Sequence, residues 1–259
     1  MLKHNYLIHT YLNNTKIITN QKLSKKTIEK VFFVLETYSK NLFFTNKEGD
    51  SYKFIYSQTG TSIAYGSEFY MYLLKLKKYV ELLHALQLFP IKDINEYILI
   101  EKFPFIIKKK EIDFDFTILV NTFILDHIYK ILQETYSLKF IIVSNDLILL
   151  KENKVTNLKQ LFKTFFGNEL VNHDLTPKYN FIFKMEFPEQ EKTIKGTFGT
   201  YLTVPEPQKI ILISIANLYI AKIIEMFIKT HHLKNIEEIP DNLASFLNTE
   251  LIIKNNNWI

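Results

Sequence analysis

Two hydrophobic periodicities intermingle along this chain, and this feature constrains the fold more than any other in the sequence. Apolar residues recur every three or four positions over Glu68–Leu88, the spacing of an amphipathic helix. Apolar runs at Leu138–Val143 and Leu147–Lys151 flank Asn145-Asp146, which predicts a β-hairpin. Because segments of both kinds alternate along the chain, we predict an α+β fold of helices mixed with short antiparallel sheets and hairpins.

The predicted elements divide the chain into two loosely defined halves. The first is an N-terminal α/β half, residues 1–112, which contains the long amphipathic helix 67–88. The second is a C-terminal α/β half, residues 113–259, with helices near 117–136, 156–166 and 216–228. The inward stripe of the long helix consists of Tyr72, Leu76, Tyr79, Leu83 and Leu86.

Shorter patterns predict the remaining elements. A helix is expected from Ser24 onwards, and Glu111–Phe116 suits a strand or an entry loop. The run Lys108–Lys110 is favoured as a solvated turn over a partner contact. Further strands are predicted at Tyr52–Tyr56, Asn180–Phe187, Thr193–Val204 and Lys209–Ile215.

Composition excludes several classes of protein. Aromatic residues make up 15% of the 259 residues, whereas the chain has only 6 Gly and 7 Pro, which excludes collagen-like and linker-like chains. The chain has no Cys, which excludes disulfide frameworks, thiol nucleophiles and Cys-ligated metal sites. All 32 side chains counted as Lys or Arg are Lys, so bidentate guanidinium contacts to phosphate or guanine are excluded too.

Charge and hydropathy give weaker indications about partners and location. The net charge of +5 offers slight support for nucleic-acid binding, carried by Lys interleaved with aromatic residues at Lys75, Lys77, Lys78 and Tyr79. No stretch reaches the roughly 20 apolar residues that cross a bilayer, and the first residues form no apolar leader. We therefore expect a soluble, cytoplasmic protein without direct membrane insertion.

A search for reactive groups yields no supported reaction. The Gly-rich phosphate loops, the nucleophile elbow and the metal-binding helix motifs are all missing from the sequence. His231 and His232 point about 100° apart on a helix and cannot share a metal ion. Asp113 and Asp115 would share one face of a strand, but charge neutralisation by the neighbouring Lys run is the simpler role. No catalytic residue, cofactor or metal is predicted.

Several segments, read in order, resemble a known family. An aromatic pair precedes Leu-Glu in Val31–Glu36, and Phe123–His127 carries a Phe-x-x-x-His pattern. Asn157–Gly167 is a leucine- and phenylalanine-rich helix that ends in Phe-Gly. Together with Tyr52–Ile55 and Gln208–Leu212, these segments resemble TssG, the baseplate wedge subunit of bacterial type VI secretion systems.

The resemblance implies a structural role without enzymatic activity. A TssG-like subunit is expected in a hetero-oligomeric baseplate with a TssF-like pair, TssK-like adaptor trimers and the spike hub, and not with nucleic acid. Such a contractile injection machine, a virulence device, lies in the cytoplasm and docks at the inner membrane. Two alternatives stay open: a basic nucleic-acid-binding protein, and an enzyme of an unrecognised family.

Exposed apolar residues flanked by charge or proline are our candidate contacts for such partners. Aromatic side chains are enriched at the centre of protein interfaces. This assignment comes from the residues themselves and not from the family. The candidates are Phe103, Pro104, Phe105, Leu202, Val204 and Pro205.

Overall fold

The computed structural model of the chain describes residues 4–9, 14–135, 138, 140–144, 147–151, 181–186, 193–195, 201–203, 208–214, 217–231, 240 and 250–255. These residues form helices and antiparallel strands, which confirms the predicted α+β class. The strands are β1 His4–His9, β2 Asn14–Thr19, β3 Ser62–Ala64, β4 Ile98–Ile100, β5 Phe105–Lys108, β6 Phe140–Ser144, β7 Leu147–Lys151, β8 Phe181–Glu186, β9 Thr193–Lys195, β10 Tyr201–Thr203, β11 Gln208–Ser214 and β12 Glu250–Asn255.

Among the described residues, most helices come from the first half of the chain. Helix α1 continues into a π-helical stretch, Val34–Tyr38, and a short 3₁₀ turn covers Ile94–Glu96. The α-helices are α1 Lys25–Phe33, α2 Ser39–Leu42, α3 Asp50–Ile55, α4 Ser67–Ala85, α5 Val120–Gln133 and α6 Leu218–His231.

The strands in the described part of the chain form three antiparallel sheets. The largest has seven strands in the order β1-β2-β6-β7-β8-β11-β12, so the hairpin β1–β2 lies at one edge. A three-stranded sheet has the order β3-β5-β4, and β9 pairs with β10. The predicted hairpin is present as β6–β7, with Ser144 opposite Leu147 across a two-residue connection.

Helix α4 forms the centre of the core. Its predicted inward stripe is confirmed, since each of these five residues is at most 5% exposed. The helix ends at Ala85, three residues before the predicted end, in a Schellman motif. Gln87 has a φ of 57°, Leu88 N–H donates to the Leu83 carbonyl, and Gln87 N–H donates to the His84 carbonyl, both at 2.9 Å.

A buried tyrosine connects α4 to the start of α5. The Tyr72 side chain is fully buried, and its hydroxyl donates to the Phe116 carbonyl at 2.5 Å. The same hydroxyl accepts from Leu119 N–H at 3.4 Å. Asp115 Oδ1 accepts from Thr117 N–H at 2.7 Å, so the predicted carboxylate at this position caps a turn.

Two local predictions are corrected by the structure. Residues 52–56 alternate like a strand, yet Tyr52–Ile55 belong to helix α3, because Ser51 and Phe54 are buried one helical turn apart. The run at residues 108–110 is not wholly solvated. Lys108 is 2% exposed and its ammonium donates to the Ile55 carbonyl at 2.7 Å and to Glu111 at 3.0 Å.

The other predicted helices are either confirmed or lie outside the described residues. The helix from Ser24 is confirmed, since the Ser24 hydroxyl accepts from Thr27 N–H at 3.0 Å and caps α1. The predicted helix 156–166 lies outside the described residues. The helix predicted near 117–136 is α5, which begins at Val120, and that near 216–228 is α6. The division of the chain at residue 112 stays a prediction.

We predict that Tyr72→Phe destabilises the protein by about 1–3 kcal/mol, because it leaves a buried carbonyl and a buried N–H without their partner. The measurement is the urea midpoint of unfolding followed by far-UV circular dichroism. Tyr56→Phe is the matched control, because Tyr56 is 70% exposed. Equal midpoints for both variants would contradict the proposed connection between α4 and α5.

Candidate functional site

A group of polar and aromatic side chains gathers where α4, α5 and α6 meet. We call this group the three-helix cluster. Helix α4 contributes two members one turn apart, α5 contributes two more at the same spacing, and the start of α6 contributes the last two. Its members are Lys75, Tyr79, Asp126, Lys130, Asn217 and Tyr219.

The aromatic half of the cluster is closely packed. The rings of Tyr79 and Tyr219 stack with centroids 5.2 Å apart and planes 14° apart. Asn217 caps α6, since its Oδ1 accepts from Tyr219 N–H at 2.9 Å, while its Nδ2 donates to the Tyr79 hydroxyl at 3.0 Å. Burial raises the pKa of both Tyr79 and Tyr219, so both phenols stay neutral over the physiological range.

The charged half of the cluster centres on Asp126. Its Oδ2 accepts from Lys130 Nζ at 2.8 Å and from the Tyr219 hydroxyl at 3.3 Å, and its side chain is 17% exposed. Lys75 Nζ lies 4.7 Å from the centroid of the Tyr219 ring. Such a contact stabilises a cation by about 0.5–1 kcal/mol at an exposed site. The cluster therefore presents two ammonium groups for one carboxylate.

Lys75 is the lysine whose ionisation is perturbed here. Burial lowers its pKa, the attraction of Asp126 opposes that change, and Lys130 and Lys78 lower the pKa further. A bound anion would supply the negative charge that this ammonium needs. A half-buried amine with a shifted pKa beside a specific charge partner marks a candidate functional site.

The cluster suits an anion better than a metal ion. Asp126 is its one carboxylate and is already paired with Lys130. Within the described ranges, His, Cys, Asp and Glu side chains form no group of three or more that could hold a metal. Ammonium groups form charge-assisted hydrogen bonds with phosphate and carboxylate oxygens. We therefore regard the cluster as a candidate site for a phosphate or carboxylate.

Three histidines of the described residues have a ring nitrogen within hydrogen-bonding distance of a backbone carbonyl. His127 Nδ1 lies 2.9 Å from the Phe123 carbonyl, one turn earlier on α5. His231 Nε2 lies 3.1 Å from the Leu86 carbonyl, and His84 Nδ1 lies 3.2 Å from the Phe89 carbonyl. The His231 and His84 contacts connect helix ends to neighbouring parts of the chain, whereas the His127 contact lies within α5.

The structure describes four of the six residues predicted to contact a partner. Phe103 is 52% exposed and Phe105 is 45% exposed, with Pro104 between them partly exposed. The Phe103 ring packs edge-on against Tyr70 with centroids 5.3 Å apart. Leu202 belongs to β10, whereas Val204 and Pro205 lie outside the described residues. The role of these residues in binding a partner stays a prediction.

The sequence pointed to only part of the three-helix cluster. Lys75 and Tyr79 stand out as a lysine near an aromatic residue on a strong amphipathic helix. Asp126 and Tyr219 give no local signal, because they reach the cluster from distant parts of the chain through the packing of α4, α5 and α6. An aspartate one turn before a lysine is an ordinary surface pattern.

None of the helices in the described ranges combines the length and the apolar character needed to span a membrane. No known protein-family profile matches the chain. No characterised protein matches it by sequence either.

Solved structures, in contrast, match the fold along nearly the whole chain. The ApbE protein of Thermotoga maritima matches with a TM-score of 0.59 and 10% identity, covering 96% of this chain and 94% of its own. A variant of the flavin transferase ApbE of Vibrio cholerae matches with a TM-score of 0.61 and 12% identity, covering 96% of this chain and 92% of its own. A second structure of the Vibrio cholerae protein matches with a TM-score of 0.50 and 11% identity over 86% of each chain. The chain therefore has the fold of ApbE flavin transferases.

This similarity overturns the identification as a TssG-like baseplate wedge subunit. The type VI secretion role, the virulence role and the expected TssF-like, TssK-like and spike-hub partners are wrong for the same reason. The prediction of a protein without enzymatic activity is contradicted as well, because the structural neighbours are transferases. The resemblance rested on short segments of common apolar residues, and one of them, Tyr52–Ile55, is a helix where the family pattern needs a strand.

We predict that Asp126→Asn lowers the pKa of Lys75 further, because Asp126 is the charge that favours the ammonium form. A lower pKa leaves more neutral amine at a given pH, so acetylation of Lys75 should reach its plateau at lower pH. Competitive labelling with acetic anhydride, read by peptide mass spectrometry across pH, measures this change. Glu48→Gln, an exposed carboxylate in the loop before α3, is the control. An unchanged Lys75 profile in Asp126→Asn would contradict the assigned coupling.

Proposed function

We propose that this protein is an enzyme of the flavin-transferase type that binds a flavin nucleotide. The observation that carries the proposal is the structural match to ApbE proteins over 96% of this chain and more than nine-tenths of theirs. The match extends along nearly the full length of both chains. It therefore supports a shared architecture for the whole protein, and not only a shared local motif. The proposal corresponds to the enzyme alternative left open by the sequence.

The three-helix cluster fits one end of such a ligand. A flavin nucleotide combines an aromatic ring system with one or two phosphates. The rings of Tyr79 and Tyr219 are 5% and 2% exposed, so they cover each other and leave no free face for a flavin ring. Lys75 and Lys130 can donate to phosphate oxygens. We assign the cluster to the phosphate end of the nucleotide.

Binding at this cluster is coupled to protonation. The pKa of Lys75 is lowered by burial in the free protein, and a phosphate beside its ammonium raises that pKa again. The complex therefore holds more protons than the free protein between the two pKa values. Affinity should fall as the pH rises through that interval.

We predict that FAD binds to the protein and that Lys75→Met weakens binding at least tenfold, because the ammonium contact is lost while the apolar stem is kept. Isothermal titration calorimetry with FAD at low ionic strength measures the affinity. Lys77→Met, an exposed lysine on the same helix, should bind like the wild type. Affinity should also fall with added salt, since exposed ammonium groups contribute to it.

The binding measurements test the proposed function and the assigned binding site separately. Absence of FAD and FMN binding by the wild-type protein would contradict the proposed function. Equal affinities for wild type, Lys75→Met and Lys77→Met would contradict the assignment of the three-helix cluster while leaving flavin binding in place.

A further inference from the structure

A groove lies between the hairpin β1–β2 and helix α1, away from the three-helix cluster in the sequence. It has a volume of about 570 Å³, within the range of ligand sites. Its walls come from β1, from β2, from the loop before α1 and from one face of α1. The lining residues are Asn5, Tyr6, Leu7, Ile17, Leu23, Ile28, Val31 and Phe32. We call it the hairpin groove.

The groove follows the edge of a sheet. Among the strands that the structure describes, β1 comes first in the order of the seven-stranded sheet, and it pairs with β2 along His4–His9. Asn5, Tyr6 and Leu7 are consecutive and all line the groove, although neighbouring side chains on a strand point to opposite faces. Tyr6 and Ile17 lie opposite each other in the β1–β2 pair, so the groove covers the sheet face that they share and reaches the backbone of β1 as well.

The edge of β1 offers backbone hydrogen bonds to a ligand. In an antiparallel pair, only every second residue directs its N–H and C=O at the partner strand. The remaining residues of β1 direct theirs away from β2, which is the side of an added strand. Peptides that add a strand to a sheet edge gain affinity from such bonds and specificity from pockets for alternate side chains.

The apolar walls of the groove are accessible. Leu7 is 60% exposed and Phe32 is 50% exposed, whereas Ile17 and Val31 form the buried floor. The Tyr6 hydroxyl accepts from Leu23 N–H at 2.8 Å and holds the strand against the loop before α1. Apolar side chains of a bound segment can pack against Phe32 over the buried floor, while the alternate side chains lie on the other face of β1, beside Leu7.

The chain segment that leads from β2 into α1 is rich in lysine. Residues 16–30 contain five lysines and a single acidic residue, Glu29. The ion pairs here are loose and exposed, with Lys25 Nζ 3.8 Å from Glu29 and Lys30 Nζ 3.7 Å from Glu134. Exposed pairs of this kind stabilise the folded state little, so the ammonium groups of Lys25 and Lys30 can turn to a bound carboxylate. The lysines are Lys16, Lys22, Lys25, Lys26 and Lys30.

We propose that the hairpin groove binds an extended peptide segment of a partner protein, with alternating apolar and acidic residues, as an additional strand on β1. The backbone edge, the apolar walls and the surrounding lysines each match one component of such a segment. A fatty acid would match the walls and the charge but not the edge of the strand. The inference is independent of the proposed flavin chemistry.

Fluorescence anisotropy with a short fluorescein-labelled peptide that alternates Glu with Val tests this proposal. We expect binding at low salt, and at least tenfold weaker binding by Leu7→Asp, which places a carboxylate among the acidic side chains of the peptide. Leu7 is 60% exposed, so this variant should keep the fold. Phe44→Asp, a change at a 42% exposed side chain outside the groove lining, should bind like the wild type.

A second measurement examines the strand addition itself. Amide hydrogen exchange of residues 4–9 should slow when the peptide binds. The proposal is overturned by no binding of the acidic peptide, by equal binding of a peptide with Lys in place of Glu, or by unchanged exchange in β1. Binding of dodecanoate in the groove without peptide binding, or self-association of the protein through β1, would overturn it as well.

Discussion

The packing of helix α4 is the constraint on which the other described elements depend. Phe69, near the start of α4, packs against Phe54 of α3 and against Phe116 in the segment before α5, and the three ring centroids lie within 6.0 Å of one another. Aromatic side chains bury large areas and prefer tilted or edge-to-face contacts, which is the geometry seen here. A chain without Cys relies on such contacts to stabilise its fold.

The hydrogen bonds of the Tyr72 hydroxyl fix the position of α4 relative to the segment before α5. Hydrophobic burial does not by itself select one register of α4 against its neighbours. A hydroxyl that bonds both the Phe116 carbonyl and the Leu119 N–H selects one, because any other register leaves buried backbone groups unpaired. The start of α5 is thereby placed, and with it Asp126, which faces α6 through its contact with Tyr219.

Lys108, which is buried, and Lys75, which is half-buried, differ in the partners of their ammonium groups. Lys108 lies on the inward side of β5, where a carbonyl and the carboxylate of Glu111 accept its hydrogen bonds. Lys75 has, among the described residues, an aromatic ring as its close partner, and burial lowers its pKa. An ammonium with two oxygen partners is a structural link. An ammonium that faces a ring retains donors for an anionic ligand.

The elements that the sequence could predict are those whose periodicity is long or whose turns are local. The stripe of α4 repeats over about four turns, and the hairpin β6–β7 needs only a two-residue connection, so both follow from neighbouring residues. Tyr52–Ile55 spans about one helical turn. Four residues are too few to distinguish the alternation of a strand from the spacing of a helix, so the predicted strand was wrong here. The C-terminal end of α4 was predicted three residues late, because the left-handed residue there is Gln87 and not the usual glycine.

The candidate site could not be predicted for a different reason. Its members come from residues 75 to 219, and only the packing of three helices brings Lys75, Asp126 and Tyr219 together. The family resemblance failed on the same ground. Short segments rich in Phe, Leu and Ile indicate only that their residues are buried locally. A fold is defined by which segments pair with one another, as β2 pairs with both β1 and β6 in the large sheet. Many different sequences can adopt the same set of pairings. The structural match at 10–12% identity is therefore informative about the fold, whereas short sequence motifs are not.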